Sequence, residues 1–291
     1  MKKAVIGLSG GIDSCWALKC AIDDGFEIKA AVTFDNHWDT EIAANNRHRV
    51  CKYFNVSNIV KKTPKEEFFK IQRAFLYAST MDAEAPSDLG IKKTLIDALD
   101  EFGADIIITG GNTRTEGRMP KEWSMIDGRY LRDVCAKYRV DLKEYKVLSL
   151  VNQYRYNKKN LEILEYDKSY NPTLAKQTLN KLCGWQDYGG KHEESVYTRF
   201  VRGLRFYKFG IDVRIIEFKA KVNSGLMTVD EMVEELSHPI VTPEQFKRDC
   251  ALVQLKLRVD IDHILKQGMR TYREFKTYRE NPLVKAVKWI I

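Results

Sequence analysis

The amino-acid sequence predicts a doubly wound, mainly parallel α/β sheet followed by a helical C-terminal region. Three observations carry that reading. In the first half, short apolar runs alternate with segments of helical period, the pattern of parallel strands joined by crossover helices. A glycine-containing turn lies directly between the first apolar run and the first helical one. Beyond Thr228 the only signals left are those that open amphipathic helices. The chain has 291 residues, 44% of them hydrophobic and 30% charged, enough to bury a large core and to add a second part to it. The expected division is 1–215, with insertions at 110–145 and 184–205, and a helical region over 216–291.

Taken in order, residues 3–8 read as a buried strand and Asp13–Asp24 as a helix, with Trp16, Ala17, Cys20 and Ala21 on its inner face and Gly25 past its end. Ile28–Phe34 is expected as the second strand, Glu41–Phe54 as a helix and Val56–Val60 as the third strand. A helix is predicted over Pro64–Tyr77, a loop over Thr80–Leu89, a helix over Lys92–Phe102 closed by Gly103, and a fourth strand over Asp105–Thr109. Residues 110–145 are rich in Gly, Arg and aromatics and read as an elaborated loop with a helix near Arg129–Tyr138. Val147–Leu150 is expected as one more strand. Asn171-Pro172 signals a helix running to Leu182. Thr228-Val-Asp-Glu231 and Thr242-Pro-Glu-Gln245 have the form of capping boxes, and Gly268 closes a third helix.

Composition narrows the function. No run of eighteen or more apolar residues is present, so no membrane span or membrane partner is expected. The apolar stretch at the N-terminus stops at Ser9 with no small-residue cleavage site after it, so it reads as a strand and the chain as cytoplasmic. The six cysteines are scattered without pairs two residues apart, against a zinc ribbon or dithiol site. The net charge of +8 suits an anionic small-molecule ligand; nucleic acid stays open as a less favoured partner, and a homo-oligomer stays open too.

The most informative stretch is Ser9-Gly10-Gly11-Ile12-Asp13-Ser14, between the first strand and the first helix. Two glycines allow a tight turn and close approach of a ligand to the backbone, and the helix that follows aims unpaired N–H groups and its positive dipole end at the turn. Ser9 and Ser14 add hydroxyls. A carboxylate at Asp13 would repel phosphate but suits a magnesium ion held beside it. A helix cap alone would explain Ser and Asp here, but not the adjacent glycines. The stretch lacks the Gly-Lys-Ser/Thr of a Walker loop and is no dinucleotide fingerprint. It resembles, at every fixed position, the SGGxDS signature of the PP-loop ATP pyrophosphatases. That resemblance implies an adenine nucleotide alpha hydrolase-like fold, ATP and Mg2+ as cofactors, and an ATP site formed by Gly7, Leu8, Ser9, Gly10, Gly11, Asp13 and Ser14. Phe34 and Asp35 at the end of the second strand and Gly110 and Gly111 after the fourth complete it, although turn chemistry accounts for Asp35 and the glycines equally well.

A second constellation spans Gly184–Arg214. Gly189 and Gly190 read as a turn entering a helix, on which Lys191, Glu194, Ser195 and Thr198 share a face that Arg199 and Arg202 continue, while Val196, Phe200 and Leu204 form the apolar stripe. A solvated polar face explains the same spacing. The block Gly-Trp-Gln-Asp-Tyr-Gly-Gly-Lys-His-Glu-Glu-Ser, then Thr-Arg-Phe and Lys-Phe-Gly-Ile-Asp, resembles the N-acetyl sugar amidotransferase family, PP-loop enzymes of bacterial surface-polysaccharide synthesis. Pro120-Lys-Glu-Trp123, Asp127 and Tyr170-Asn-Pro172 fit the same pattern. Family members usually carry a short Cys-bearing segment ahead of the first strand, where this sequence has Met1-Lys2.

The resemblance implies an enzyme that turns an acetamido group of a nucleotide sugar into an acetamidine, with ATP cleaved to AMP and pyrophosphate and ammonia supplied by a separate glutaminase subunit. From residue chemistry, Lys191 suits neutralisation of phosphate charge. Arg199 and Arg202 suit a diphosphate or carboxylate, and His192 and Glu194 suit proton transfer from ammonia. Asp13, Lys191, His192, Glu194 and Arg199 are thus the expected catalytic group; Trp123, Asp127, Gly189, Gly190, Ser195, Thr198 and Arg202 are expected to bind the substrate. Two rival readings remain: a PP-loop enzyme that thiolates or amidates tRNA or a nucleobase, and an ATP-sensing module without turnover.

Overall fold

The computed structural model describes residues 1–120, 123, 127–190 and 192–271. Five parallel strands form one sheet in the order β3-β2-β1-β4-β5: β1 (Lys3–Gly7), β2 (Glu27–Asp35), β3 (Asn58–Lys62), β4 (Ile106–Thr109) and β5 (Asn160–Glu162). The expected doubly wound arrangement is what the pleat produces. Ala4, Ile6, Ala31, Ile106 and Ile108 face one layer, where α1 (Ile12–Asp23) and α8 (Pro172–Cys183) pack. Val5, Ala30, Val32 and Ile107 face the other, against α4 (Ala85–Glu101) and Tyr156 of α7 (Leu150–Lys159). Burial on both faces is why these strands read as continuous apolar runs.

The strand order reverses between β1 and β4, so their carboxyl ends diverge and leave a crevice, the usual ligand position in open α/β sheets.

A third core lies beyond the sheet. It unites α3 (Lys65–Ala78) and α6 (Gly128–Lys137) with α9 (Val196–Phe209), α12 (Pro243–Leu257) and α13 (Ile261–Lys266) around Phe75, Tyr130, Phe200, Leu204 and Val253. Completing the described chain are α2 (Glu41–Tyr53), the single turn α5 (Thr113–Glu116), α10 (Arg214–Asn223) and α11 (Val229–Ser237). No helix among the described residues is long and apolar enough to cross a membrane.

Several expectations are corrected. Val147–Leu150 is not a strand: Ser149 caps α7, accepting from Asn152 N at 3.1 Å, and the fifth strand is the three-residue β5. The segment read as a loop over Thr80–Leu89 contains the first turn of α4, which starts at Ala85 with Pro86 in the N-terminal turn where proline is tolerated. Gly90 lies inside that helix and packs so closely on Phe34 that a Cβ there would come 2.1 Å from the ring. Thr228 does form a full capping box with Glu231. Thr242 forms only half of one, since Gln245 Oε1, the acceptor such a box needs, receives Arg248 Nη2 at 2.8 Å instead.

Asp249 ties α12 to α9. Its carboxylate, on a residue 2% exposed, receives both Arg199 Nε and Nη2 at 2.8 Å. Removing one partner of a buried pair strands the other charge. Arg199→Ala should therefore cost about 3 kcal/mol of stability, read by differential scanning fluorimetry as a Tm lowered by roughly 6 °C or more. An unchanged Tm would show that the pair holds nothing.

Candidate functional site

β1 ends at Gly7 and α1 begins at Ile12, with Gly11 in the N-cap position and no side chain capping it. Between them the carbonyl oxygens turn into the protein. Leu8 O accepts from Thr33 Oγ1 at 2.6 Å and Ser9 O from Arg47 Nη1 at 2.8 Å. Gly10 O accepts from Asn46 Nδ2 at 3.4 Å and from Trp185 Nε1 at 3.2 Å, and Gly11 O from Ser14 Oγ at 3.1 Å. With its carbonyls held back, the loop adopts the nest-like form that suits an anion. Gly10 has φ +91°, and a Cβ there would sit 2.2 Å from Ala43 O, so only glycine fits. The hydroxyls of Ser9 and Ser14 lie 3.1 Å apart, and Ser9 Oγ accepts from Gly11 N at 3.1 Å.

Beside the loop, a cavity of about 610 Å³ opens at the carboxyl ends of β1, β2 and β4. That is an ordinary size for a site taking a small organic ligand. Gly7, Leu8, Ser9 and Phe34 of the expected ATP group line it, as do His192, Glu194, Ser195, Thr198 and Arg202 of the second constellation and, from outside it, Trp123 of the expected substrate group. The two motifs, far apart in sequence, thus share one cavity. The second is tied to the segment after β2 by an antiparallel bridge between Asp39 and Ser195 and by Thr40 N donating to Glu194 O at 2.9 Å.

Other expected residues lie elsewhere. Asp13 is in the first turn of α1 and accepts from the Tyr170 hydroxyl. Gly110 packs on that turn, a Cβ there reaching within 2.7 Å of Asp13 C, and Gly111 abuts Glu162. Asp35 ends β2 and accepts from His37 N at 2.8 Å, the contact of a turn residue. Asp127 caps α6 by accepting from Tyr130 N at 2.8 Å.

The shared helical face is a further correction. Ser195 is the N-cap of α9, so Glu194 precedes the helix, and His192 takes the left-handed conformation at φ 64°. Gly189 and Gly190 abut Glu193. Lys191 lies outside the described residues, as do Lys121 and Glu122. Of the two arginines, Arg199 is held by Asp249. Arg202 does line the cavity, but Glu217 holds it bidentately at 2.6 and 3.1 Å.

Sequence reading missed much of the wall. Asp82, Glu84 and Asp88 come from the segment taken for a loop, and Arg205 and Glu217 from α9 and α10. Their signal was the run of carboxylates around Ala85-Pro86. Among the described residues seven carboxylates face the cavity against two arginines and one histidine, so that part of its wall is acidic despite the basic chain. Burial first, and Glu84 beside it second, push the Asp88 carboxyl up to about 7. All six cysteines are free, and burial raises every thiol above its ordinary value, Cys51 to about 11 and Cys20, Cys135 and Cys250 to about 12. Among the described residues no group of three or more His, Cys, Asp or Glu is arranged to hold a metal ion.

Residues 194–290 match the family model described as LPS biosynthesis protein WbpG-like, C-terminal domain. The match covers about a third of the chain and begins at Glu194, on the cavity wall; it does not reach the glycine loop. No curated protein matches the chain.

The Asp88 carboxyl generates a pH prediction. Its folded pKa of about 7 stands above the unfolded value near 4, so between those values the folded state binds more protons and stability falls as pH rises. Asp88→Asn should match the parent protein near pH 4 and exceed it by about 2 kcal/mol near pH 8, after allowing for partial solvent screening. Urea melts at the two pH values check this; an equal difference at both would show that Asp88 does not titrate in that window.

Proposed function

We propose that this chain is an ATP-dependent amidotransferase of the PP-loop type acting on an N-acetylated nucleotide sugar. The observation that carries the reading is that Ser9, which opens the glycine loop after β1, lines one cavity with His192, Glu194, Ser195 and Thr198. The match to a WbpG-like C-terminal domain supports the broader statement, a role in lipopolysaccharide or related polysaccharide biosynthesis.

In the proposed reaction the acetamido oxygen attacks the α-phosphorus of ATP, the bond from that phosphorus to the bridging oxygen breaks, and pyrophosphate leaves. Ammonia nitrogen then adds to the imidate carbon, AMP leaves with the former amide oxygen, and one proton is released, giving an acetamidine. No protein nucleophile is needed. The chain's part is to position the reactants and to stabilise developing charge.

The amides and α1 dipole at the glycine loop suit the departing pyrophosphate. Apolar side chains of β2 and α4, Val32, Phe34, Ile91 and Leu95, suit a base. The acidic wall suits hydroxyl and N–H donors, which a sugar and an ammonium ion supply and a polyphosphate does not. His192, Glu194 and Asp88, which line the cavity, suit taking a proton from ammonium. Bound magnesium would supply charge neutralisation at the phosphates; Asp13 is the residue that would hold it, and Lys191 would add a cation. Since every thiol is raised by burial, ammonia is expected from a separate glutaminase subunit. The acidic cavity disfavours a nucleic-acid substrate.

The test is incubation with ATP, magnesium, ammonium and a panel of nucleotide sugars. AMP and pyrophosphate should form only with an N-acetylated sugar present; ADP and phosphate as the sole products would overturn the assignment. Ammonium should support turnover where glutamine alone does not. Asp13→Asn should keep the circular dichroism spectrum and lose at least about a hundredfold in turnover, the scale of losing one preorganised charge. Retained activity would reduce Asp13 to a first-turn acid on α1.

A further inference from the structure

Two side chains from the second motif stand against the glycine loop itself. The Tyr188 hydroxyl accepts from Ile12 N, the first helical amide of α1, at 3.3 Å. A carbon placed as a Cβ on Gly11 would meet Glu194 Oε1 at 3.0 Å, the Tyr188 hydroxyl at 3.0 Å and Ser9 Oγ at 3.1 Å. A phenol oxygen and a carboxylate oxygen therefore converge where the loop and the helix dipole favour an anion. Burial first, then the neighbouring Glu194 carboxylate, raise the Tyr188 phenol well above its ordinary value, so it stays a neutral hydroxyl.

The backbone around both residues is fixed. Trp185 Nε1 donates to Gly10 O, and Gln186 N to Asn46 Oδ1 at 2.8 Å. Glu194 O accepts from Thr40 N, and Val196 N donates to Trp38 O at 3.1 Å. Releasing the loop thus calls for rotation of two side chains, with no unfolding of the bridge to residues 38–40.

We propose that Tyr188 and Glu194 act as internal stand-ins for phosphate oxygens, an autoinhibitory contact that ATP must displace. The proposal rests on the reading of Ser9–Ser14 as an ATP loop. Glu194 also lines the cavity on which the acceptor is expected, so an acceptor that draws its carboxylate off the loop raises affinity for ATP. The two sites are then coupled through one side chain, and ATP is held weakly until the acceptor arrives. Glu194 would serve the chemistry only after that rotation.

The experiment is calorimetric titration of a non-cleavable α,β-methylene ATP analogue with magnesium, into the intact chain and into Glu194→Gln, Tyr188→Phe and Gly10→Ala, with circular dichroism on each. Glu194→Gln preserves size and removes the charge that competes with phosphate, so binding should tighten at least about tenfold. Tyr188→Phe should tighten it about twofold to fivefold by freeing Ile12 N. Gly10→Ala should bind nothing measurable. Equal or weaker binding by Glu194→Gln, with the parent protein binding, would overturn the displacement proposal and leave the ATP loop standing. Binding by Gly10→Ala equal to the parent, or no binding by the parent and Glu194→Gln alike, would overturn the loop reading itself and the proposal with it.

Discussion

The glycine loop can face a ligand only because its carbonyl oxygens are satisfied from behind. A buried acceptor without a donor costs about 1–3 kcal/mol, and four successive carbonyls, Leu8 to Gly11, find partners. Those partners come from β2, from α2, from the turn after α8 and, for Gly11, from α1 itself. Arg47, 5% exposed, serves Ser9 O while pairing with Asp39 at 2.8 Å. Asn46 serves Gly10 O with its amide nitrogen and Gln186 N with its oxygen. Much of the first layer is organised around one short turn.

The same residues locate the second motif. Trp185 is fully buried in the core beneath α1, and its indole N–H reaches Gly10 O. Once Trp185 and Gln186 are anchored there and Val196 is bonded to Trp38 O, the intervening chain has to cross the mouth of the crevice. That geometry brings His192 and Glu194 onto the cavity wall, and it sets Tyr188 against the loop.

Charge divides the cavity in two. At the β1 end the loop offers amides and hydroxyls. Opposite it, the first turn of α4 and the residues before it offer the carboxylates of Asp82 and Asp88, while Glu217 and Glu84 are engaged by Arg202 and Arg205. Two chemistries in one chamber, anion-seeking and donor-seeking, are the physical basis for placing phosphate at one end and a sugar with its incoming nitrogen at the other.

The sequence by itself determined the parallel core, the loop and most helix starts, because each depends on residues a few positions apart: apolar alternation, two glycines at a strand end, Asn171 before Pro172, Thr228 before Glu231. It misplaced features whose local signals conflict. The first turn of α4 fell in the segment expected as a loop, and both Pro86 and Gly90 lie inside that helix. The three-residue β5 is too short to show a period, and helical spacing from 191 to 202 hid the fact that α9 starts at Val196. Only the tertiary structure decided which side chains face the loop and which are spent on each other. Tyr188 on Ile12, Tyr170 on Asp13 and Trp185 on Gly10 are pairs more than 150 residues apart, and Arg199 meets Asp249 fifty residues on. A hydrogen-bond partner at that range is set by how layers pack, which leaves no trace in the spacing of neighbouring residues.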